Sequence, residues 1–424
     1  MFGLQKFGDG IGLTRILRFY REFGIDTDAL ARRSIVVTGS NGKGSTSRFT
    51  EAALTASGRR AGLFTSPHLF DYRERFVIGD MRIPQEAFDR HASTVLAFNQ
   101  RQPEGDRLGA FELLFLVAIL WFEEENPDAI VWEAGIGGRY DPVRTLRSPL
   151  GILTGLELEH TQILGATEEL IAFDKIDSVA PGGSLVISPS VPAAHRERIE
   201  SYCSLAGKHP VFVSDAFEVG NVCNTADGTS FTARGHRVMI NLIGRHQIDN
   251  ALTAFLAAAH WLGVQPGLTK QHRLVEAISK TSWPGRLERV ARNPDLWIDV
   301  GHTPKALDLV TSAFLDFTPR EKTLVIFGVS ASKDVANIAA TVASRFDHVI
   351  LTRANKAGAD IASFSNAFAG KQITIEPDIV KATRLARDRA EREGLTVLAV
   401  GGLFLAAEVQ HAWNGGDPAT LEFL

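Results

Sequence analysis

One short segment concentrates side chains that could handle a nucleotide. Val36-Val37-Thr38-Gly39-Ser40-Asn41-Gly42-Lys43-Gly44-Ser45-Thr46 takes an apolar run into three glycines, a lysine and two adjacent hydroxyls. Glycines let backbone N–H groups turn toward phosphate oxygens, and a helix beginning there adds the positive end of its dipole. Lys43 has the reach for the outer phosphates, and Ser45 or Thr46 offers a hydroxyl to Mg²⁺. The spacing departs from the general phosphate-binding loop. Only Ser40 and Asn41 separate Gly39 from Gly42-Lys43, and Gly44 stands between the lysine and the hydroxyls. The competing reading is an ordinary glycine-rich turn. A buried strand ahead of the turn and a lysine beside two hydroxyls favour phosphate.

Further blocks accompany the loop. Thr65-Ser66-Pro67-His68-Leu69 is followed by Tyr72-Arg73-Glu74-Arg75, and Glu133-Ala-Gly-Ile-Gly-Gly-Arg139 runs on to Asp141. Glu159-His160-Thr161 precedes Leu164-Gly165 and then Lys175. Gly244-Arg-His246-Gln247 leads to Asn250-Ala251, Trp283-Pro284-Gly285-Arg286-Leu287-Glu288 comes next, and Asp299-Val-Gly-His302-Thr303-Pro304 follows. Loop and blocks together, in this order, resemble the folylpolyglutamate synthase/dihydrofolate synthase branch of the Mur ligases along nearly the whole chain.

The resemblance implies an ATP-dependent amide ligase that activates a carboxylate as an acyl phosphate and joins it to an amino acid, glutamate in this branch. It implies that Gly39, Asn41, Gly42, Lys43, Gly44, Ser45, Thr46, His246, Asn250, Arg286 and Asp299 bind ATP. Ser45 and Glu133 would hold one Mg²⁺, and His160 a second. Lys175 would join the metal site as a carbamate. An unmodified lysine is a cation with a reference pKa of ~10.4 and would repel the metal. On sequence statistics alone it reads as a surface lysine on a helix from Glu168 to Ser178. Lys43, His160 and Lys175 are thus the implied catalytic set, and Phe111, Asp141, Arg144 and His302 the substrate side.

These residues need elements to carry them. Apolar runs of strand length at 35–37, 129–132, 150–154 and 184–187 alternate with helical stretches, and again at 297–298, 323–327, 348–351 and 396–400. Continuous apolar strands between helices predict a mostly parallel α/β sheet. Helices are expected at 45–56, 305–315, 335–346 and 379–393. The segment Val211–Ile240 alternates apolar and polar residues and is expected as an antiparallel patch at one edge of the first sheet. A polar, proline-bearing stretch, Ala291–Asp295, puts the domain boundary between 292 and 293. The expected architecture is a phosphate-loop domain over 1–292 and, as the resemblance implies, a Rossmann-like α/β domain over 293–424.

Composition narrows the partners. The 424 residues include 45 basic and 49 acidic side chains, net −4 with histidine neutral, so no basic field marks a nucleic-acid or anionic-membrane binder. The ten-residue apolar run Leu113–Phe122 is half the ~20 that a spanning helix needs and reads as a buried helix. Met1–Asp9 has no apolar core of signal-peptide length. Two cysteines make no disulfide framework. These readings describe a cytoplasmic, soluble monomer with small-molecule substrates.

The chain departs from the family pattern on the substrate side. Asp141-Pro142-Val143-Arg144 stands where the family has Asp-Ala-Thr-Asn, and Gly109-Ala110-Phe111-Glu112 has lost a threonine. Thr303 replaces an asparagine, and Val400-Gly401-Gly402-Leu403-Phe404 replaces Thr-Gly-Ser-Leu-Tyr. Two alternatives therefore stand beside the folate ligase: an amide ligase for another small carboxylic acid, and a nucleotide binder without catalysis. Arg144 could pair with a second carboxylate of such an acid.

Overall fold

The structure, a computed structural model, describes residues 12–423; the stretch Met1–Asp9 considered for a leader lies outside them. An eight-stranded sheet holds β1 (Ser34–Thr38), β2 (Ala61–Phe64), β3 (Phe76–Ile78), β4 (Met81–Arg82), β5 (Ala129–Glu133), β6 (Leu150–Leu153), β7 (Ser184–Ile187) and β8 (His209–Phe212). Their order is β4-β3-β2-β5-β1-β6-β7-β8. All neighbours pair parallel except the β2–β3 and β3–β4 contacts at one edge.

β1 is buried along its whole length, and its side chains alternate between two cores. Ile35 and Val37 pack with Phe49 of the helix Lys43–Ala56 and with Ile248 and Phe255 of the helix Arg245–Trp261. Val36 faces Phe64, Trp132 and the apolar helix Ala110–Glu125 on the other side. Covered on both faces, the strand has no polar face to show, which is why it reads as an unbroken apolar run.

The antiparallel segment differs from expectation. β8 extends the first sheet in parallel, and β9 (Val219–Thr225), β10 (Gly228–Ala233) and β11 (His236–Ile240) form a separate three-stranded sheet. Phe231, Ala233, Val238 and Ile240 bury their alternating face against Ile248, Phe255, Leu274 and Ile278, so the patch caps a helical layer instead of prolonging the edge.

The third sheet, ordered β12-β13-β17-β14-β15-β16, is built from β12 (Glu288–Ala291), β13 (Leu296–Ile298), β14 (Thr323–Phe327), β15 (His348–Leu351), β16 (Gln372–Ile375) and β17 (Thr396–Val400). β12 and β13 are antiparallel, and the remaining pairs are parallel. A boundary at 292/293 would cut the turn of the β12–β13 hairpin; the third sheet begins at Glu288. Among the described residues no helix is long and apolar enough to cross a membrane.

Candidate active site

Register brings the first site residues together. Val37 of β1 lies beside Glu133 of β5, and Thr38 lies beside Leu153 of β6. The turns leaving three adjacent strands therefore share one rim of the sheet, the crevice where open α/β sheets bind ligands.

The loop after β1 is shaped by close approaches. Gly39 has φ +146°, and a Cβ there would lie 2.0 Å from Thr154 Oγ1. Gly42 has φ +84°, and a Cβ there would lie 2.5 Å from Asn250 Oδ1. Asn250 accepts from Thr46 Oγ1 at 3.2 Å and donates to Gln247 at 3.0 Å, so the second long helix braces the loop from outside. Lys43 donates to Gly39 O at 2.8 Å and Ser40 O at 3.4 Å, which folds its ammonium over the loop. Asn41 donates to Glu157 Oε1 at 2.6 Å. Ser45 and Thr46 are buried in the first turn of the helix that the loop opens.

Glu133 is buried and accepts from the Ser66 N–H at 2.9 Å. Burial pushes its carboxyl up, and Lys43, the Ser66 amide, Arg286 and Arg75 oppose the shift. The charge of Lys43 also reaches Asp141, Glu159, Lys175 and His302. It sits at the centre of the residues that the family blocks supplied.

Lys175 is not on the surface. The helix is Glu168–Ile176, and Lys175 is 1% exposed with Nζ donating to Glu159 Oε1 at 2.9 Å. It points inward because the helix packs Ile171, Ala172 and Ile176 against the sheet. Burial pulls its amine below the ordinary value, against the pull of Glu159. His160 is exposed and occupies the left-handed region at φ 47°, ahead of the short helix Thr161–Leu164.

The second domain reaches the loop through the junction. A Cβ on Gly44 would lie 3.0 Å from Trp283 Nε1 and 3.6 Å from an Arg286 guanidinium nitrogen. Asp299 accepts from Leu287 N at 2.8 Å and Gly301 N at 2.6 Å, fixing the residue after Arg286 and the one before His302. His302 is exposed and contacts Val300 O through Nδ1 at 3.3 Å. His246 is half-buried, and burial together with Arg286 holds its imidazole down to about 4.

Two of the substrate-side expectations are relocated. Both oxygens of Asp141 are taken by the chain itself: Oδ2 accepts from Gly135 N and Ile136 N at 2.9 and 3.0 Å, and Oδ1 from Val143 N at 3.0 Å. It fastens the glycine loop after β5. Arg144 donates to Arg139 O at 3.2 Å and lines a cavity of about 310 Å³ with Arg147, Asp177 and Lys208. Cations there are answered by Asp177, which accepts from Arg139, Tyr202 and Lys208. Phe111 does face the glycine loop: a Cβ on Gly135 would lie 2.8 Å from its Cζ.

Sequence reasoning gave no role to Glu157, Asp174 or Trp283. Asp174 accepts from Gly138 N at 2.8 Å and Arg139 N at 3.3 Å, anchoring the Gly-Gly-Arg turn. Its position beside Lys175 was the available signal. Trp283 was visible in its block without a partner, and nothing in the sequence marked Glu157.

A nucleotide fits this arrangement. His246 Nδ1 and Arg286 Nε are buried without a hydrogen-bond partner, and a Cβ at Gly39 or Gly42 would force Thr154 or Asn250 to shift. Among the described residues no group of three or more His, Cys, Asp or Glu could hold a metal. A hard cation at Ser45 and Glu133 would complete its shell with nucleotide oxygens and water.

Residues 285–403 match the model of the Mur ligase, glutamate ligase domain. A probable bifunctional folylpolyglutamate synthase/dihydropteroate synthase of Halobacterium salinarum is 30% identical over 90% of this chain. The dihydrofolate synthase/folylpolyglutamate synthase of Bacillus subtilis is 28% identical over 79% of each chain. Over most of its length the chain is similar to folylpolyglutamate and dihydrofolate synthases. It spans about half the length of the Halobacterium relative, 47%. The same fold is seen in Mycobacterium tuberculosis folylpolyglutamate synthase complexed with ADP and AMPPCP, with a TM-score of 0.85 at 23% identity over 96% of each chain.

Proposed function

We propose that the protein is an ATP-dependent, ADP-forming ligase that joins glutamate to the carboxylate of a pterin acid, dihydropteroate or a reduced folate. The observation that carries the reading is the meeting of Arg286 and Trp283 with Gly44, beside the unpartnered His246 Nδ1 and Arg286 Nε. Phosphoryl transfer between two anions needs positive charge concentrated on the transferring group. Lys43, the amides of Gly42 to Ser45, and Arg286 supply it from the first domain and its junction with the second.

The acid's carboxylate oxygen attacks the γ-phosphorus and ADP leaves. The amine of glutamate then attacks the acyl carbon, phosphate leaves with the acyl C–O bond broken, and the amine's proton passes to solvent. Mg²⁺ held by Ser45 and Glu133 would neutralise phosphate charge. A second ion would take His160 and a carbamate on Lys175, whose burial beside Glu159 keeps that nitrogen within the site. Names of the relatives and the glutamate ligase domain support the folate reading over another acid or a silent binder. The free thiols Cys203 and Cys223 are in keeping with a cytoplasmic location.

The test is substrate-dependent ADP release with Mg²⁺, ATP and glutamate, comparing dihydropteroate, tetrahydrofolate and no acid. Release with either pterin, with a product heavier by one glutamyl unit, supports the proposal. Protein that binds ATP yet releases no ADP with either pterin overturns it.

A further inference from the structure

We infer that Glu157 is a positioning residue, a latch that ties the first helix of the second domain to Asn41 of the phosphate loop. The inference rests on the ligase reading and adds to it the contact through which closure of the domains reaches the loop. On the first-domain side Glu157 is held firmly. Its N–H donates to Ser40 Oγ at 3.1 Å, Ser40 Oγ lies 3.4 Å from its carbonyl, and its Oε1 accepts from Asn41 Nδ2 at 2.6 Å. The preceding residues grip the same loop, with Ser40 N donating to Gly155 O at 3.0 Å and Thr154 Oγ1 to Asn41 O at 2.5 Å.

On the other side the carboxylate crosses to the second domain. Thr303 Oγ1 lies 3.5 Å from Oε2, and Lys305 Nζ lies 3.5 Å from Oε1. Thr303 is also the N-cap of the helix Pro304–Leu315, accepting from Ala306 N at 3.2 Å. One hydroxyl thus starts the helix and meets the latch. A hydrogen bond at 2.6 Å is fully made and one at 3.5 Å barely so. The carboxylate is tight to the loop and slack to the helix, the geometry of an arm that shortens as the domains close.

Charge makes the same point. A carboxylate beside a loop built for polyphosphate repels the ligand unless a cation answers it. Lys305 is that cation; the Glu157 side chain is 19% exposed and the Lys305 side chain 52% exposed, so the carboxylate is the sheltered partner. Thr303 stands where the family pattern has asparagine, so the substitution that looked like a change of substrate specificity has a structural partner in Glu157.

The experiment is a double-mutant cycle in the full chain with Glu157→Gln and Lys305→Met, following kcat/KM for ATP, melting temperature and binding of AMPPCP. Each single variant is expected to lower kcat/KM about tenfold with melting temperature held, and the double to lose no more than either single, as coupled residues do. Losses that multiply, or no loss in Glu157→Gln, overturn the latch while wild-type AMPPCP binding leaves the ligase reading standing. A wild-type chain that binds no AMPPCP overturns the ligase reading and the latch with it. Should Glu157→Gln unfold, Lys305→Met alone decides: unchanged kcat/KM rejects the latch.

Discussion

Lys43 lies folded onto its own loop, donating to Gly39 O, so its charge is in place before a nucleotide arrives. On the proposed reading, removing it would leave the loop amides without the cation for the outer phosphates. Lys43→Ala is expected to cut ADP release by about a hundred- to a thousandfold, the scale of one lost transition-state donor; turnover near wild type would remove the loop from the chemistry. Lys175 poses a sharper question because its ammonium already has a partner in Glu159. If it serves as a carbamate, Lys175→Ala loses turnover and short-chain carboxylates restore it. Loss that no carboxylate restores points to the ion pair alone. His246 gives a pH signature. With its imidazole at about 4 against an unfolded value of ~6.5, it stays neutral at neutral pH. Any stability tied to it is lost only as pH falls from the unfolded value toward the folded one. Affinity for AMPPCP is therefore expected to be flat from about pH 6 to 8 on this account, and a break near 6.5 that disappears in His246→Asn would contradict it.

At the scale of elements, the phosphate loop works because β1, β6 and the helix Arg245–Trp261 close on it from different sides. Gly42 is where the helix closes on the loop, with a left-handed φ of +84° and Asn250 Oδ1 2.5 Å from a Cβ position. Gly42→Ala is expected to cost about 1–2 kcal/mol in the strained backbone and to displace Asn250 from Thr46. Calorimetry with AMPPCP would then show weakened binding, and unchanged affinity would separate Asn250 from the nucleotide site. The elements themselves were largely legible. β14, β15 and β17 fall on their apolar runs to the residue, because a strand buried on both faces leaves no polar interruption. Partners were harder to read. The alternation in 211–240 gave strands but neither the parallel place of its first stretch, in β8, nor the helix layer that the others would cover. Asp141 looked like a group aimed at substrate, yet its carboxylate is committed to three backbone amides, and such bonds exist only once the glycine turn has formed. Lys175 looked exposed because a nine-residue helix shows little periodicity around one lysine. Arg144 is placed by a related local feature: the short helical turn Pro142–Leu146 carries it, and its guanidinium is committed to Arg139 O and the cavity beside Asp177.

For the whole molecule the issue is what holds two domains against one loop. Glu157 reaches Thr303 on one side, and the segment after β2 reaches across on another. Leu69 is 5% exposed and packs with Leu296 and Ile298 of the third sheet and with Val300 just beyond β13, and a Cβ on Gly285 would lie 3.6 Å from its Cδ2. Gly285 precedes Arg286, so this leucine supports the arginine that meets Gly44. His68 adds a polar tie, with Nε2 2.8 Å from Glu422 O and Nδ1 accepting from buried Arg75 at 3.0 Å. Burying a leucine in a well-packed site is worth about 2–5 kcal/mol when truncated to alanine, but at a domain boundary that loss falls on closure and not on either core. Leu69→Ala is therefore expected to keep both cores folded while the domains separate more readily. Scattering with AMPPCP and pterin acid would show less compaction than in the wild type, and kcat/KM would fall by about an order of magnitude or more. Leu69→Met, which keeps the volume, should recover both. Compaction and turnover equal to wild type in Leu69→Ala would show that Arg286 is positioned without this contact.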